Sequence, residues 1–354
     1  MSAFDLTKRH LGQVHRVHPL GVNCGSIGLP DERPSVTDDS LLDGLRRAVE
    51  LGATLLDTAD SYGAGHAERL LGRLLREYPN RKFVVSSKVG QVRGSAPHPY
   101  ADRHIHHQFQ QTQENLDIEE LDLYTLDSWD FGPGDRYLNA AVEQLQTLRD
   151  LGAIKSIGMR GPYTRYGATL AERRACAQRF LFLFRTIKPD IVWVRFNGLT
   201  PLISLEGQNL FSFTERHRVG VILSAPLAHG WLTGKGCVNK PLRLAMADNR
   251  LRVGSFTPQM RIAVKAGLHE VREAFGNAHE RPSRLALLYS LQKARHCATV
   301  VGFTSEGQVR ENFSYLDGPA LTENELKRLD VIYSRIRGTL APDARQVISQ
   351  ASHV

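Results

Sequence analysis

Apolar residues recur along this chain in two rhythms. Short runs rich in Val, Ile and Leu read 20-LGVNCGSIG, 54-TLLDTA, 83-FVVSSKVG, 121-LDLYTLDS, 154-IKSIGM, 190-DIVWVRF, 219-VGVILSAP and 298-ATVVGF. Apolar runs of that length, bounded by turn residues, predict buried β-strands. Between them lie longer segments at helical spacing. In 36-VTDDSLLDGLRRAVELG, Leu41, Leu45, Ala48 and Leu51 share one face; Thr37 and the two aspartates after it suit a helix start, and Gly52 suits its stop. The segments 66-HAERLLGRLLREY, 138-LNAAVEQLQTLRDLG, 258-PQMRIAVKAGLHEVREAFG and 284-RLALLYSLQKA carry the same helical period.

Strand and helix thus alternate about eight times, which predicts a parallel sheet. Such a series makes either an open doubly wound sheet or a closed (β/α)8 barrel. The open form carries a three-glycine phosphate fingerprint after its first strand. Here Gly63 and Gly65 begin such a pattern, but Glu68 stands where the third glycine belongs. The reading is therefore α/β, a single-domain (β/α)8 TIM barrel over residues 1–337 with a tail at 338–354. The stretch 231–257 is too long for a plain connection and is expected to cover a ligand.

Composition narrows the class. Of 354 residues, 42% are hydrophobic and 23% charged, the balance of a globular chain rather than a disordered or fibrous one. No apolar run approaches the roughly 18 residues of a membrane helix, and the N-terminus lacks the apolar core of a secretory signal. Cys24, Cys176, Cys237 and Cys297 lie far apart with no CxxC pair, so a reducing, cytoplasmic setting is expected. The net charge of +8 comes from basic residues spread along the whole chain, without a dense basic and aromatic block. That pattern argues against nucleic acid and is compatible with an anionic small-molecule substrate.

In a barrel of this kind the chemistry gathers at the C-terminal ends of the strands. Those ends offer Asp57, Lys88 and Asp127, with Tyr62 in the loop after Asp57. A buried lysine beside a tyrosine favours the phenolate, and an aspartate beside that lysine keeps it charged and in place. The expected product is a tyrosine able to exchange a proton near neutral pH. Two other clusters carry less. His98, His104, His106 and His107 lack a carboxylate or thiol at ligand spacing, so no metal is expected. Cys24 lacks an evident base.

Five stretches are similar to one known family. The run 57-DTADSYGAGHAERLLG resembles the aldo-keto reductase signature DTAxxYGxxxxExxxG; 84-VVSSKVG resembles the strand that carries its catalytic lysine. The runs 122-DLYTLDSWD, 226-PLAHGWLTGK and 302-GFTSEGQVREN resemble the family's DLYxxHxxD, SPLxxGxLTGK and GxxSxxQvxEN. They stand in family order from about residue 20 to 315, nearest in character to the sugar and galactose dehydrogenase-like branch. The resemblance implies a barrel with NADPH or NADH across its mouth, with a slight lean to NADP. Hydride passes to a carbonyl carbon or a conjugated enone of a polar small molecule, sugar-like or a natural-product intermediate. Tyr62 is then the proton donor, Lys88 its modulator and Asp57 the partner of Lys88.

Departures from the family fall in one region. Its tetrad histidine is Asp127 here, and an ionised carboxylate accepts hydrogen bonds without donating. Either Asp127 donates in its protonated form, or it pairs with a nearby arginine or lysine. The usual carboxamide contacts are replaced by Arg160, Trp193 and Ser224. Distal cofactor contacts implied by the resemblance are Pro226, Leu227, Gly230, Lys235, Gly302, Phe303, Thr304, Gln308 and Asn312. The alternative is non-redox acid/base chemistry by Tyr62 and Asp127 without nicotinamide, in a dehydration, epimerisation or cyclisation; a third reading is a non-enzymatic binding barrel.

Overall fold

The computed structural model describes residues 3–27, 36–234, 258–276 and 282–341. Eight parallel strands close into one barrel: β3 (Leu20–Asn23), β4 (Leu55–Asp57), β5 (Val84–Val89), β6 (Leu121–Leu126), β7 (Ile154–Arg160), β8 (Ile191–Arg195), β9 (Gly220–Ser224) and β10 (Cys297–Gly302), with β10 pairing back to β3. The (β/α)8 expectation therefore holds, and each of the eight expected runs supplies one barrel strand. Among the described residues no helix is long and apolar enough to cross a membrane.

The helices ring the barrel, and their ends are written in local chemistry. Helix α1 (Asp38–Glu50) starts at Thr37, whose side chain accepts from the Ser40 N–H while Ser40 reciprocates on the Thr37 backbone. Its C-terminal turn closes at Gly52, in a left-handed conformation (φ 100°). Helices α2 (His66–Glu77), α3 (Asp102–Leu116), α4 (Leu138–Asp150), α5 (Leu170–Ile187), α6 (Leu210–Arg216), α7 (Pro258–Phe275), α8 (Pro282–Leu291), α9 (Glu306–Ser314) and α10 (Glu323–Leu340) follow in chain order. Helix α10 crosses the expected start of the tail at residue 338. Residues 342–354, and most of the long segment 231–257, lie outside the described residues.

One element was not anticipated. The antiparallel hairpin β1 (Arg9–Leu11) and β2 (His15–Val17) sends Leu11 and Val17 into the apolar layer formed by Leu55, Val84, Leu123 and Ile191. Those four residues lie in the first half of their strands, so the hairpin plugs the end of the barrel opposite the one that carries Asp57, Lys88 and Asp127. His15 fixes it through a 2.8 Å hydrogen bond between Nε2 and Ser156 Oγ.

Alternation along the strands decides which side chains reach the interior. In β4, Leu55 and Asp57 point inward. In β5, Lys88 joins Ser86 inside, while Ser87 faces outward and donates to Glu68 of α2 at 2.7 Å. In β8 the inward set is Ile191, Trp193 and Arg195. The open mouth thus receives polar and aromatic residues from adjacent strands.

The outer packing also limits what the last strand can carry. A Cβ on Gly44 of α1 would lie 2.5 Å from Phe303 Cε2, just past the end of β10. We expect Gly44→Ala to displace that ring and lower stability by about 1–3 kcal/mol, the cost of overpacking. Denaturant melts test this: a lowered midpoint with unchanged slope is expected, and an unchanged midpoint would contradict it.

Candidate functional site

Asp57 and Lys88 form the centre of the mouth. Both are buried, at 0% and 1% exposure. Lys88 Nζ stands 2.8 Å and 2.9 Å from the two Asp57 oxygens and donates to the Thr58 carbonyl. Asp57 also accepts from Ser86 Oγ at 2.9 Å, from Asn23 Nδ2 at 2.5 Å and from the Trp193 indole N–H at 3.2 Å. A buried ion pair persists only when its remaining hydrogen-bonding capacity is met, and these donors meet that of Asp57.

Tyr62 leans over this pair. Lys88 Nζ lies 5.1 Å from the Tyr62 ring centroid and 5.0 Å from that of Trp193. The Tyr62 loop turns back through Gly63, Ala64 and Gly65, all with positive φ. Room for the phenol comes from Gly25, where a Cβ would sit 3.3 Å from Tyr62 Cζ. Burial pushes the Tyr62 phenol above its ordinary value, and the nearby Lys88 ammonium pulls it back only in part. That corrects the expectation of a tyrosine tuned to neutrality by Lys88: desolvation outweighs the charge. For Lys88 burial is the largest single influence and acts to lower it, but the charges of Asp57, Tyr62 and Asp127 and the hydrogen bond to Asp57 together outweigh it and hold Lys88 above its ordinary value. The arrangement is a proton-loaded phenol beside a fixed cation.

Asp127 follows β6 and belongs to a second pair. Its Oδ1 accepts from Arg160 Nη1 at 2.8 Å, and its main-chain carbonyl accepts from the same nitrogen at 3.3 Å. The expectation of a protonated, donating Asp127 does not match this geometry, because the pair uses the carboxylate as acceptor. The strand register explains it: Leu126 pairs with Met159, so the next residues, Asp127 and Arg160, lie side by side. The Arg160 guanidinium carbon sits 5.4 Å from the Trp193 ring centroid and 5.2 Å from that of Tyr163. Arg195 is stacked between Tyr163 and Tyr166, 4.3 Å from each ring centroid, and binds the Tyr163 hydroxyl and the Thr164 carbonyl.

The expected cofactor positions divide. Trp193 gives its N–H to Asp57, so it is not available as the amide contact its position suggested. Ser224 Oγ donates to the Val194 carbonyl at 3.3 Å. Phe303 is buried on the outer side of the barrel against Gly44 of α1 and offers a cofactor only its backbone. Gln308 folds onto Thr304, accepting from its N–H and donating to its Oγ1, both at 3.0 Å. Asn312 is buried one turn further along α9. Pro226, Leu227 and Gly230 lie on the turn after β9, where the Gly230 N–H reaches the Leu227 carbonyl at 3.0 Å. Lys235 lies outside the described residues. A nucleotide fits the distal rim: Gly302 is exposed, a Cβ there would stand 3.1 Å from Ser26 Oγ, and α9 opens beside it with Ser305 as cap. Small residues at a helix N-terminus suit a phosphate-bearing ligand.

Sequence reasoning missed Asn23 and Ser86 as partners of Asp57. Both lie on strands already recognised, and Asn23 is the register partner of Asp57. The remaining candidates do not assemble. Burial pushes the Cys24 thiol up to about 12, which leaves no thiolate. His98 stacks on Tyr137 and His104 contacts the Val92 carbonyl. Among the described residues no three His, Cys, Asp or Glu groups come together to hold a metal.

Comparison with known proteins agrees with the barrel fold. The model of the Aldo/keto reductase family matches residues 22–334. The chain is 23% identical over 330 residues to an L-galactose dehydrogenase of Arabidopsis thaliana, covering 91% of this chain and 92% of the relative. It is 26% identical over 302 residues to an L-glyceraldehyde 3-phosphate reductase of Escherichia coli, covering 81% of each. Among solved structures, a glycerol dehydrogenase from Gluconobacter oxydans superposes with a TM-score of 0.72 at 22% identity, over 93% of this chain and 95% of that one. An aldo/keto reductase from Klebsiella pneumoniae in complex with NADP and acetate gives 0.64 at 21% identity, over 92% and 95%.

The buried pair carries a stability cost when halved. Asp57→Asn leaves the Lys88 ammonium desolvated without its anion and should destabilise the fold by about 3–5 kcal/mol. Adding Lys88→Met to that variant removes the stranded charge, so a melt of the double variant should recover part of the loss. A single variant as stable as the parent would refute the pairing.

Proposed function

The chain belongs to the Aldo/keto reductase family, and we propose that, as an NAD(P)H-dependent oxidoreductase, it reduces the carbonyl of a polar, sugar-like small molecule with Tyr62 as proton donor. The observation that carries this reading is the buried Asp57–Lys88 pair beneath the Tyr62 ring. When bound, the nicotinamide supplies the hydride. The chain's own residues do the rest. Tyr62, partly buried at the mouth, keeps its proton because desolvation raises its phenol, and so arrives loaded. As the substrate oxygen gains charge, the phenol releases that proton to it. Lys88 then stands beside the phenolate and compensates its charge. Asp57 holds Lys88 in place and charged.

The substrate class is drawn from relatives named for L-galactose and L-glyceraldehyde 3-phosphate. Carbonyl reduction is preferred to enone reduction, because Asp127 is engaged as an acceptor by Arg160 and is not a free acid. The same pairing weakens the cofactor-free alternative, which needs Asp127 to exchange protons with Tyr62.

Purified protein should quench its tryptophan fluorescence saturably with NADPH or NADH, since Trp193 lies at the mouth. It should also oxidise the nucleotide in the presence of hydroxyaldehydes. Tyr62→Phe should lower turnover by about 10²–10⁴-fold while leaving nucleotide binding intact. Full turnover in Tyr62→Phe, or substrate conversion without nucleotide, would overturn the reading.

A further inference from the structure

We propose that Arg160 donates the hydrogen bond that holds the substrate's carbonyl oxygen, and that Asp127 is the residue that positions it. The inference rests on the carbonyl-reductase reading of the mouth and adds the group that reading lacks. Family members place a histidine, a donor, at the position of Asp127. This chain has a carboxylate there, and a carboxylate facing an oxygen that is gaining negative charge would oppose the reaction.

The structure supplies a donor one strand over. Arg160 ends β7 and points to the barrel interior by the same alternation that places Ser156 there. One of its nitrogens, Nη1, is committed to Asp127 at 2.8 Å. Among the described residues, no acceptor engages its Nε or Nη2, and the side chain keeps 26% of its surface exposed at the mouth. The guanidinium is held in orientation by the Trp193 and Tyr163 rings. Its backbone carbonyl is anchored by the Trp129 indole N–H at 2.9 Å. The Trp193 ring that lies under Arg160 also lies under Lys88, and Lys88 lies under Tyr62. A single run of contacts therefore joins the proposed oxygen donor to the proton donor.

The charges are consistent with that role. Asp57 balances Lys88, and Asp127 balances Arg160, so the guanidinium meets a neutral carbonyl with its own charge already compensated. A guanidinium stays protonated at every working pH and donates without a tautomer requirement. In the reduction, hydride and its electron pair add to the carbonyl carbon, and the C=O π pair moves onto oxygen. Tyr62 transfers its proton to that oxygen, giving the alcohol and oxidised nucleotide. Arg160 stabilises the developing charge through an N–H and transfers no proton.

The test uses the full chain with NADPH or NADH and either glyceraldehyde or 4-nitrobenzaldehyde as probe. Arg160→Ala should lower kcat/KM by about 10²–10³-fold, the usual consequence of deleting an oxyanion donor. Nucleotide affinity should stay within about threefold of the parent. Millimolar guanidinium chloride should restore kcat of Arg160→Ala about tenfold or more, without stimulating the parent protein. Arg160→Lys should retain more activity than Arg160→Ala. Asp127→Ala should reduce kcat by loosening Arg160, and guanidinium should not rescue it. Arg160→Ala with near-parental kcat/KM would overturn the proposal while leaving the reductase reading intact. So would a loss that guanidinium does not relieve and that accompanies a lowered melting temperature. A parent protein inactive on every carbonyl with either nucleotide would instead overturn the reductase reading, and Arg160's role with it.

Discussion

The Lys88 ammonium is buried inside a parallel barrel, and much of the mouth is arranged around that one charge. An unpaired cation at such depth is prohibitively costly. Asp57 therefore has to end β4 on the inward face, and Asn23, Ser86 and Trp193 have to satisfy its oxygens from three other strands. The same requirement ties together β3, β4, β5 and β8 at their C-terminal ends. Tyr62 inherits a fixed cation 5.1 Å from its ring. Stability and chemistry thus rest on one pair, and the strand alternation of the barrel is what delivers it.

The second pair shows how the mouth diverges from the family pattern without losing its logic. By the resemblance, Asp127 stands where a histidine donor is expected, and Arg160 next to it offers a donor in our proposal. Trp193 follows the same course. Its position suggested a contact to the cofactor amide, but its N–H serves Asp57 and its ring supports both cations. The three departures at Asp127, Arg160 and Trp193 are therefore mutually consistent rather than separate losses. Each change of residue type alters the partner of a neighbour, and Lys88 and Arg160 each keep a carboxylate partner.

Much of this was legible in the sequence, for definable reasons. The strands announce themselves as short Val- and Ile-rich runs, and Thr37 and Gly52 mark the ends of α1 by their own chemistry. Asp57 and Lys88 were legible because each is the only ionisable residue in its strand and stands near that strand's C-terminal end. The hairpin at residues 9–17 was not, because Leu11 and Val17 are buried while Val14 between them is 61% exposed, a spacing that fits neither period over so few residues. Asn23 was missed because a small polar residue at a strand end looks like an ordinary turn residue, and Ser86 because a serine inside a strand shows no partner until a carboxylate is found opposite it. The direction of the Tyr62 shift was misread because sequence shows the neighbouring charge of Lys88 but not the depth of burial that outweighs it. The Asp127–Arg160 pair needed only the β6–β7 register, which places consecutive strand ends side by side.

The central claim is that Tyr62 is a proton-loaded acid whose burial exceeds the pull of Lys88. Ultraviolet titration of tyrosinate absorption, taken as the difference between the parent protein and Tyr62→Phe, reads that ionisation directly. The account predicts that the Tyr62 phenolate appears only above the ordinary tyrosine value of 10.0. A difference signal with its midpoint near neutral pH would contradict it, and would mean that Lys88 governs the phenol more strongly than its burial does.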